Sequence, residues 1–492
     1  KLAMRVLGRP LNTGGGIDLP RPASQRAAAF ILTAAMLTTL AAPAFAGTWY
    51  IEDGDITVKA SDTGNDVTQK DKTTYGDKDT IITNRKEDAS SNTVTIEAKD
   101  KDDKVEVTLK DVNIDTSSRN KAAVSVTGSG NTTIKLDGDN ALKSDSSRSG
   151  IYGSGSLTIT GGENDSLTAQ GGSGANGIYS SGSLTISGGT VTANGDDGGR
   201  GISSSGSVTI SGGSTVTANG GSGTISGGDG ICSSGGVTIS GGSTVTANGR
   251  SGTISGGDGI CSNGGVTISG GSTVTANGGN GGSLVGGDGI RSGGGLTVSD
   301  GTVTAKGGNG DSKDGYGGDG IRSGGVVTIS GNTVNAAGGY GGKVGGYGIC
   351  SFDRVAISGG TVNANGGDGS SRNGGSGIYS NDIDLSGSLE LTAKAGSPNG
   401  KALSQNGREL DLNAIKDKLG PGAKVTATDA NGETKQVSIP RPVEPEGPVI
   451  PEESSSSSGG GSAAPSAPAF SLPGLTVTDK DGQRISYTST QS

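Results

Sequence analysis

Short bursts of alternating apolar and polar residues, four or five positions long, recur along most of the chain and are separated by glycine pairs. The clearest run is Gly230 to Gly249, GICSSGGVTISGGSTVTANG, which returns as GICSNGGVTISGGSTVTANG from Gly259 to Gly278. Alternation over so few positions marks a half-buried strand, and Gly-Gly marks a corner. Each unit therefore predicts three strands, approximately G-I-x-S, V-T-I-S and T-V-T-A-N. The anchor isoleucine falls at 151, 178, 202, 231, 260, 290, 321, 349 and 378, in steps of 24 to 31 residues. Length changes fall almost entirely after the Asn-Gly, as from Gly220 to Gly228.

Three strands and three corners in so short a period fit one coil of a parallel β-helix. A propeller blade needs about 40 residues and four strands, and a leucine-rich repeat needs a leucine consensus that is missing here. A disordered chain would not hold Ile, Val-x-Ile and Val-x-Ala in phase from one unit to the next. The expected fold class is all-β, a single-stranded parallel β-helix with three strands per coil. Ile231, Val237, Ile239, Val245 and Ala247 should point inward and stack on their counterparts in coils about 4.8 Å away. Between Trp49 and Leu142, segments such as TVTIEA (Thr93 to Ala98) and VEVTLKDVNID (Val105 to Asp115) keep a looser alternation and predict irregular N-terminal coils. DLNAIKDKLG (Asp411 to Gly420) has a helical pattern with a glycine stop and is expected in a C-terminal cap. The expected boundaries are a leader at 1–46, N-terminal coils at 47–142, regular repeats at 143–400, a cap at 401–439, a Pro/Ser/Gly linker at 440–468 and the start of another module at 469–492.

Composition narrows the chemistry. Of 492 residues 98 are glycine, while 29% are hydrophobic and 3% aromatic, which excludes a large conventional core but suits a narrow Val/Ile/Ala interior. Histidine is absent, so Ser-His-Asp triads, Cys-His dyads and His-ligated zinc are excluded. Arg5, Arg9, Arg21 and Arg26 precede an apolar run from Ala27 to Ala42, and Ala44-Phe45-Ala46 follows. That order predicts a signal peptide cleaved before Gly47, since the run is too short and wrongly flanked for a stable membrane span. The remaining chain would hold 34 basic and 47 acidic residues, a net charge of −13. Nucleic acid and anionic membranes are therefore poor partners.

The runs NTVTIEAKDKDDKVEVTLKDVNID, KAAVSVTGSGNTTIKLDGDNAL and GSLTITGG, with the repeated GI-x-S-x-G-x-L-T-I-S-GG-T-V-T-A, resemble a secreted carbohydrate-binding β-helix family of Clostridia and of gut and cellulolytic bacteria. The resemblance covers roughly Gly47 to Ile439. It implies right-handed coiling, bound calcium, binding of cellulose or pectin-like polysaccharide, and no established catalysis. It transfers no individual ligand residue.

Four columns of residues could carry chemistry. Asp229, Asp258, Asp288 and Asp319 each precede a Gly-Ile anchor, and stacked carboxylates about 5 Å apart must be protonated, paired or metal-bound. A calcium site is one reading. Turn capping, or pairing of Asp288 with Arg291 and Asp319 with Arg322, is the other. The position after each anchor should face solvent and reads Tyr152, Tyr179, Ser203, Cys232, Cys261, Arg291, Arg322, Cys350 and Tyr379. Tyr152, Tyr179, Arg291, Arg322 and Tyr379 are the residue types that sugar rings and uronates need, although tyrosine is also an ordinary strand former. Cys232 and Cys261 occupy equivalent places in adjacent coils, within reach of a disulfide, whereas Cys350 has no intrachain partner. Outward threonine pairs, from Thr190/Thr192 to Thr302/Thr304, form a flat T-x-T array like that of ice-binding β-helices. The Asn194, Asn219, Asn248, Asn277 and Asn365 ladder is expected to satisfy backbone groups at a corner.

The expected function is a secreted, non-catalytic, calcium-assisted polysaccharide binder. A structural stalk or adhesin repeat is the rival. A pectate-lyase-like enzyme is a lesser alternative, because Asp288, Asp319, Arg291 and Arg322 continue the repeat instead of breaking it with a dedicated loop.

Overall fold

The computed structural model describes residues 46–311 and 313–442; the leader before Ala46, most of the linker and the 469–492 segment lie outside them. The described chain is a parallel β-helix of three sheets, as the repeat predicts. The first sheet stacks Ile56–Ser61, Val94–Glu97, Val124–Thr127 and Ile151–Gly153, then the Gly-Ile strand of each repeat, ending at Leu403–Gln405. The second begins with Thr48–Tyr50, Thr80–Thr83, Lys104–Lys110 and Asn131–Asp137 and continues through the V-T-I strands. The third runs from Asn113–Asp115 through Asp139–Lys143 and the T-V-T-A-N strands to Lys424–Thr428.

Register is uniform: Ile231 lies opposite Ile260, Val237 opposite Val266, and Thr244 opposite Thr273. Because a strand alternates its side chains, one strict register puts every apolar position inside. Ile231, Ile239 and Ala247 are fully buried, and Val237 and Val245 nearly so. The interior also holds a polar ladder, two residues after each anchor isoleucine and on the same face of its strand. Ser233, Ser262, Ser292 and Ser323 are buried, and each Oγ donates to a carbonyl of the preceding coil, as Ser262 does to Gly235 at 2.8 Å. These bonds satisfy corner carbonyls that burial would otherwise leave unpaired.

Both ends are closed. An antiparallel meander of Ile56–Ser61, Gly64–Gln69 and Lys72–Asp77 covers the N-terminal coil. At the C-terminal end Thr434–Ser438 pairs antiparallel with Lys424–Thr428. The Asp411–Gly420 segment forms a 3-10 helix, Leu412–Lys418, capped by Asp411 and burying Leu412 and Ile415. The expected cap is thus present, as a tighter helix than the pattern suggested.

The variable stretch after Asn-Gly is an ordered fin between the third and first sheets. In the Gly-rich coils an outgoing and a returning glycine arm lie side by side, bonded to each other and to the next coil. Gly257 donates to Arg250 at 2.9 Å across the arms, and Gly256 donates to Val285 at 2.9 Å along the stack. The approach is too close for side chains: a Cβ on Gly287 would lie 1.9 Å from the Gly257 carbonyl oxygen. The fin therefore accounts for a large share of the glycine content, and corners and anchors for much of the rest.

Candidate functional site

The outward position of the first sheet makes one continuous column, Thr95, Ser125, Tyr152, Tyr179, Ser203, Cys232, Cys261, Arg291, Arg322, Cys350, Tyr379 and Ser404, each in register with the next. The corner loops, and further along the fin, rise beside it as a wall. Near the N-terminal end wall and floor enclose a cleft of about 650 Å³, lined among others by Thr95, Asn120, Lys121, Ser125, Arg148, Ser149, Tyr152, Asn176 and Tyr179. Tyr152 and Tyr179 stack on each other, with centroids 5.4 Å apart and planes 20° from parallel. That spacing is close to the coil repeat, so the rings lie across the sheet and the second face of Tyr152 looks over the small Ser125. The Tyr179 hydroxyl lies 3.3 Å from Ser181 Oγ and 3.4 Å from Ser205 Oγ, bonds that hold its pKa below the usual phenol value.

The column divides the remaining expected residues. Tyr379 is seven coils beyond Tyr179, about 34 Å, and stacks on Tyr347 at 4.9 Å. Arg291 and Arg322 lie between the two tyrosine pairs, and the Arg322 guanidinium sits 5.0 Å over the Phe352 ring. Tyr347 and Phe352 were not singled out by sequence reasoning. Tyr347 occupies the aspartate position of its coil, two residues before Ile349, which is the signal that could have found it.

The aspartate column lies at the foot of the fin. Asp258, Asp288 and Asp319 are buried, and each accepts and passes on a bond. Asp229 Oδ1 accepts the Asp258 amide at 2.8 Å, Asp258 Oδ1 that of Asp288 at 2.8 Å, Asp288 Oδ1 that of Asp319 at 2.7 Å, and Asp319 Oδ1 that of Tyr347 at 2.7 Å. Arginines take the second oxygens: Arg200 on Asp229 at 2.8 Å, Arg291 on Asp258 at 2.5 Å and Arg322 on Asp319 at 3.2 Å. The Asp319–Arg322 pairing agrees with one sequence expectation, while Arg291 reaches back to Asp258 instead of Asp288. Among the described residues no side chain bonds Asp288 Oδ2. Burial, with repulsion from Asp288 and Asp229, pushes the Asp258 carboxyl up to about 7. Burial and Asp319 push Asp288 up to about 7, and burial raises Asp319 to about 6.

Calcium needs six to eight oxygens. Here one oxygen of each carboxylate serves a backbone amide and three of the four second oxygens serve guanidinium groups, so the column as folded does not fit a calcium ion.

Cys232 and Cys261 face each other in register and are both thiols; the expected disulfide is not formed in this structure. The asparagine ladder differs from expectation, because its amides bond one another and not the backbone: Asn248 donates to Asn219 at 2.8 Å and Asn277 to Asn248 at 2.9 Å. Asn365 is outside that chain of bonds, its column passing through Lys306 and Ala337; a separate bond, Asn363 to Asn335 at 2.8 Å, lies in the column of Thr304. The T-x-T pairs stack in register on the third sheet, a different face of the coil from the cleft. Among the described residues no helix is long and apolar enough to cross a membrane.

No protein-family model, curated protein or solved structure matches the chain. The resemblance to carbohydrate-binding β-helices therefore rests on the repeat sequence alone. What the geometry adds is one concave surface, paved with hydroxyls, amides and a tyrosine face, on a rigid sheet.

Proposed function

We propose that this protein is an exported, non-catalytic polysaccharide-binding β-helix whose ligand chain lies along the first sheet and seats a sugar ring over Ser125 against Tyr152. The observation that carries the reading is the cleft itself: a tyrosine face at one end, a floor of Thr95 and Ser125, and Asn120, Lys121, Arg148 and Asn176 on the wall. A pyranose offers one apolar face and a ring of hydroxyls, and such a cleft presents both complements within one sugar's width. The Tyr347/Tyr379 pair and Arg322 further along the column offer a second contact to a long polymer. Cellulose and pectin-like chains are the ligands the sequence resemblance suggests.

The test is affinity electrophoresis of the chain from Gly47 onward in gels containing soluble cellulose derivative, pectin, xylan or no polymer, each with calcium and with chelator. Retardation by one polymer, retained in chelator, is the expected result. Equal mobility in every gel would overturn the reading for those polymers and favour a structural spacer, for which the unbroken ladder of coils is also suited.

A further inference from the structure

The middle of the first-sheet column holds a cluster that glycan binding does not use. Cys232 and Cys261 are register partners on adjacent parallel strands, so their Cα atoms lie about 4.8 Å apart. That falls inside the window of about 4.4–6.8 Å that a disulfide requires. Both sulfurs and a carboxylate oxygen of Asp229 lie within 4.8 Å of one another. Arg291, the next residue of the column, aims Nη2 at Cys261 Sγ at 3.1 Å. We infer that Cys232 and Cys261 form a redox site, a dithiol that closes to a disulfide between neighbouring coils by exchange with a small external disulfide.

The surroundings favour exchange over metal capture. Asp229 already binds Arg200 at 2.8 Å, and Cys261 already binds Arg291, so a metal cation would sit against two guanidinium groups. The same groups suit a thiolate. A hydrogen bond from Cys232 and the charge of Arg291 hold the Cys261 thiol below its usual value against the opposing effect of burial, while Cys232 is pushed up by sharing its proton with Cys261. Cys232 is partly exposed at the floor of the open sheet, where a small disulfide can reach the pair. In the exchange, a thiolate of the pair attacks one sulfur of the external disulfide and expels a thiolate. The second cysteine then loses its proton and attacks the mixed disulfide, expelling the other. Two S–H bonds are lost and one S–S bond forms in the protein, and the external disulfide is reduced to two thiols. Cys350 is the contrast: fully buried, its thiol pushed up chiefly by burial, and flanked in its column by Arg322 and Tyr379.

The experiment uses the full chain, reduced, then equilibrated with oxidised glutathione at a series of ratios, quenched in denaturant, labelled with a maleimide and weighed intact. The labelled thiols are expected to fall from three to one, with a Cys232–Cys261 peptide pair in the digest. The Cys350→Ser chain should fall from two to none. Cys232→Ser, which places the serine already found at Ser203 of the preceding coil, should form no intramolecular bond. In Arg291→Gln the rate of closure should shift to higher pH, and Arg291→Lys should restore part of it. Three labelled thiols at every ratio, two stable mixed disulfides, or a link through Cys350 would overturn the inference.

Discussion

At the scale of single residues, glycine does two different jobs in this chain. At the corner between the second and third sheets Gly242 has φ +72°, a left-handed backbone with open space where a Cβ would go. The chain itself fills the same corner with Asn332 at φ +58°. In the fin, Gly287 has an ordinary φ, and it is the neighbouring coil that leaves no room, the Gly257 carbonyl oxygen lying 1.9 Å from the place a methyl group would take. Gly242→Asn is therefore expected to leave thermal stability within about 1 kcal/mol, because asparagine tolerates the left-handed region. Gly287→Ala must push two coils apart and should cost about 1–3 kcal/mol. Calorimetry of the two variants checks this, and equal melting temperatures would contradict the packing described for the fin.

At the scale of one element, the aspartate column couples folding to pH. Asp258, Asp288 and Asp319 are held near 7, 7 and 6, above their ordinary value of 3.8, chiefly by burial. Between about pH 4 and 7 the folded chain keeps protons that the unfolded chain has released, so their contribution to stability falls as pH rises through that window and levels off above it. Asp55 acts in the opposite sense at lower pH: hydrogen bonds from Arg119, the Thr93 amide and Lys121 outweigh burial and hold it at about 2. Asp288→Asn keeps the acceptor for the Asp319 amide and removes the titration, as Asn176 already does for the Arg200 amide at 2.8 Å. The variant should melt higher than the parent at pH 8, by the equivalent of at least about 1 kcal/mol, and differ little at pH 4. Equal melting curves at pH 8 would show that Asp288 is charged at no cost in the fold.

The same element shows how much the sequence could say. The inward residues were legible because strand alternation and a period of 24 to 31 residues leave one register that buries every Ile and Val. The column holding Tyr152, Tyr179, Arg291 and Arg322 was legible for the same reason. What the cleft is made of was legible only in part: Ser149 and Asn176 stand two residues before an anchor isoleucine, as the aspartates do, but Asn120 and Arg148 come from corner loops whose backbone paths no periodicity encodes. The buried serines stand two residues after each anchor isoleucine, so alternation places them inward, but it cannot show the corner carbonyls of the preceding coil that they bond.

At the scale of the β-helix, the sheets present unlike surfaces. The third is flat and carries threonines in register, while the first is concave, walled by loops and fin, and holds stacked tyrosine pairs about 34 Å apart. Arg200, Arg291 and Arg322 line its middle in a chain of net charge −9, each with its carboxylate partner beneath it. A rigid scaffold of this kind orders little on binding, so affinity should come from a few anchoring contacts. The most direct measurement compares gel retardation, in the polymer that retains the parent chain, of Tyr152→Ala and of Thr246→Ala on the third sheet. The account predicts that Tyr152→Ala weakens binding about tenfold, the loss of one anchoring aromatic, while Thr246→Ala matches the parent. Retention unchanged in Tyr152→Ala but lost in Thr246→Ala would contradict it and move the binding surface to the threonine face.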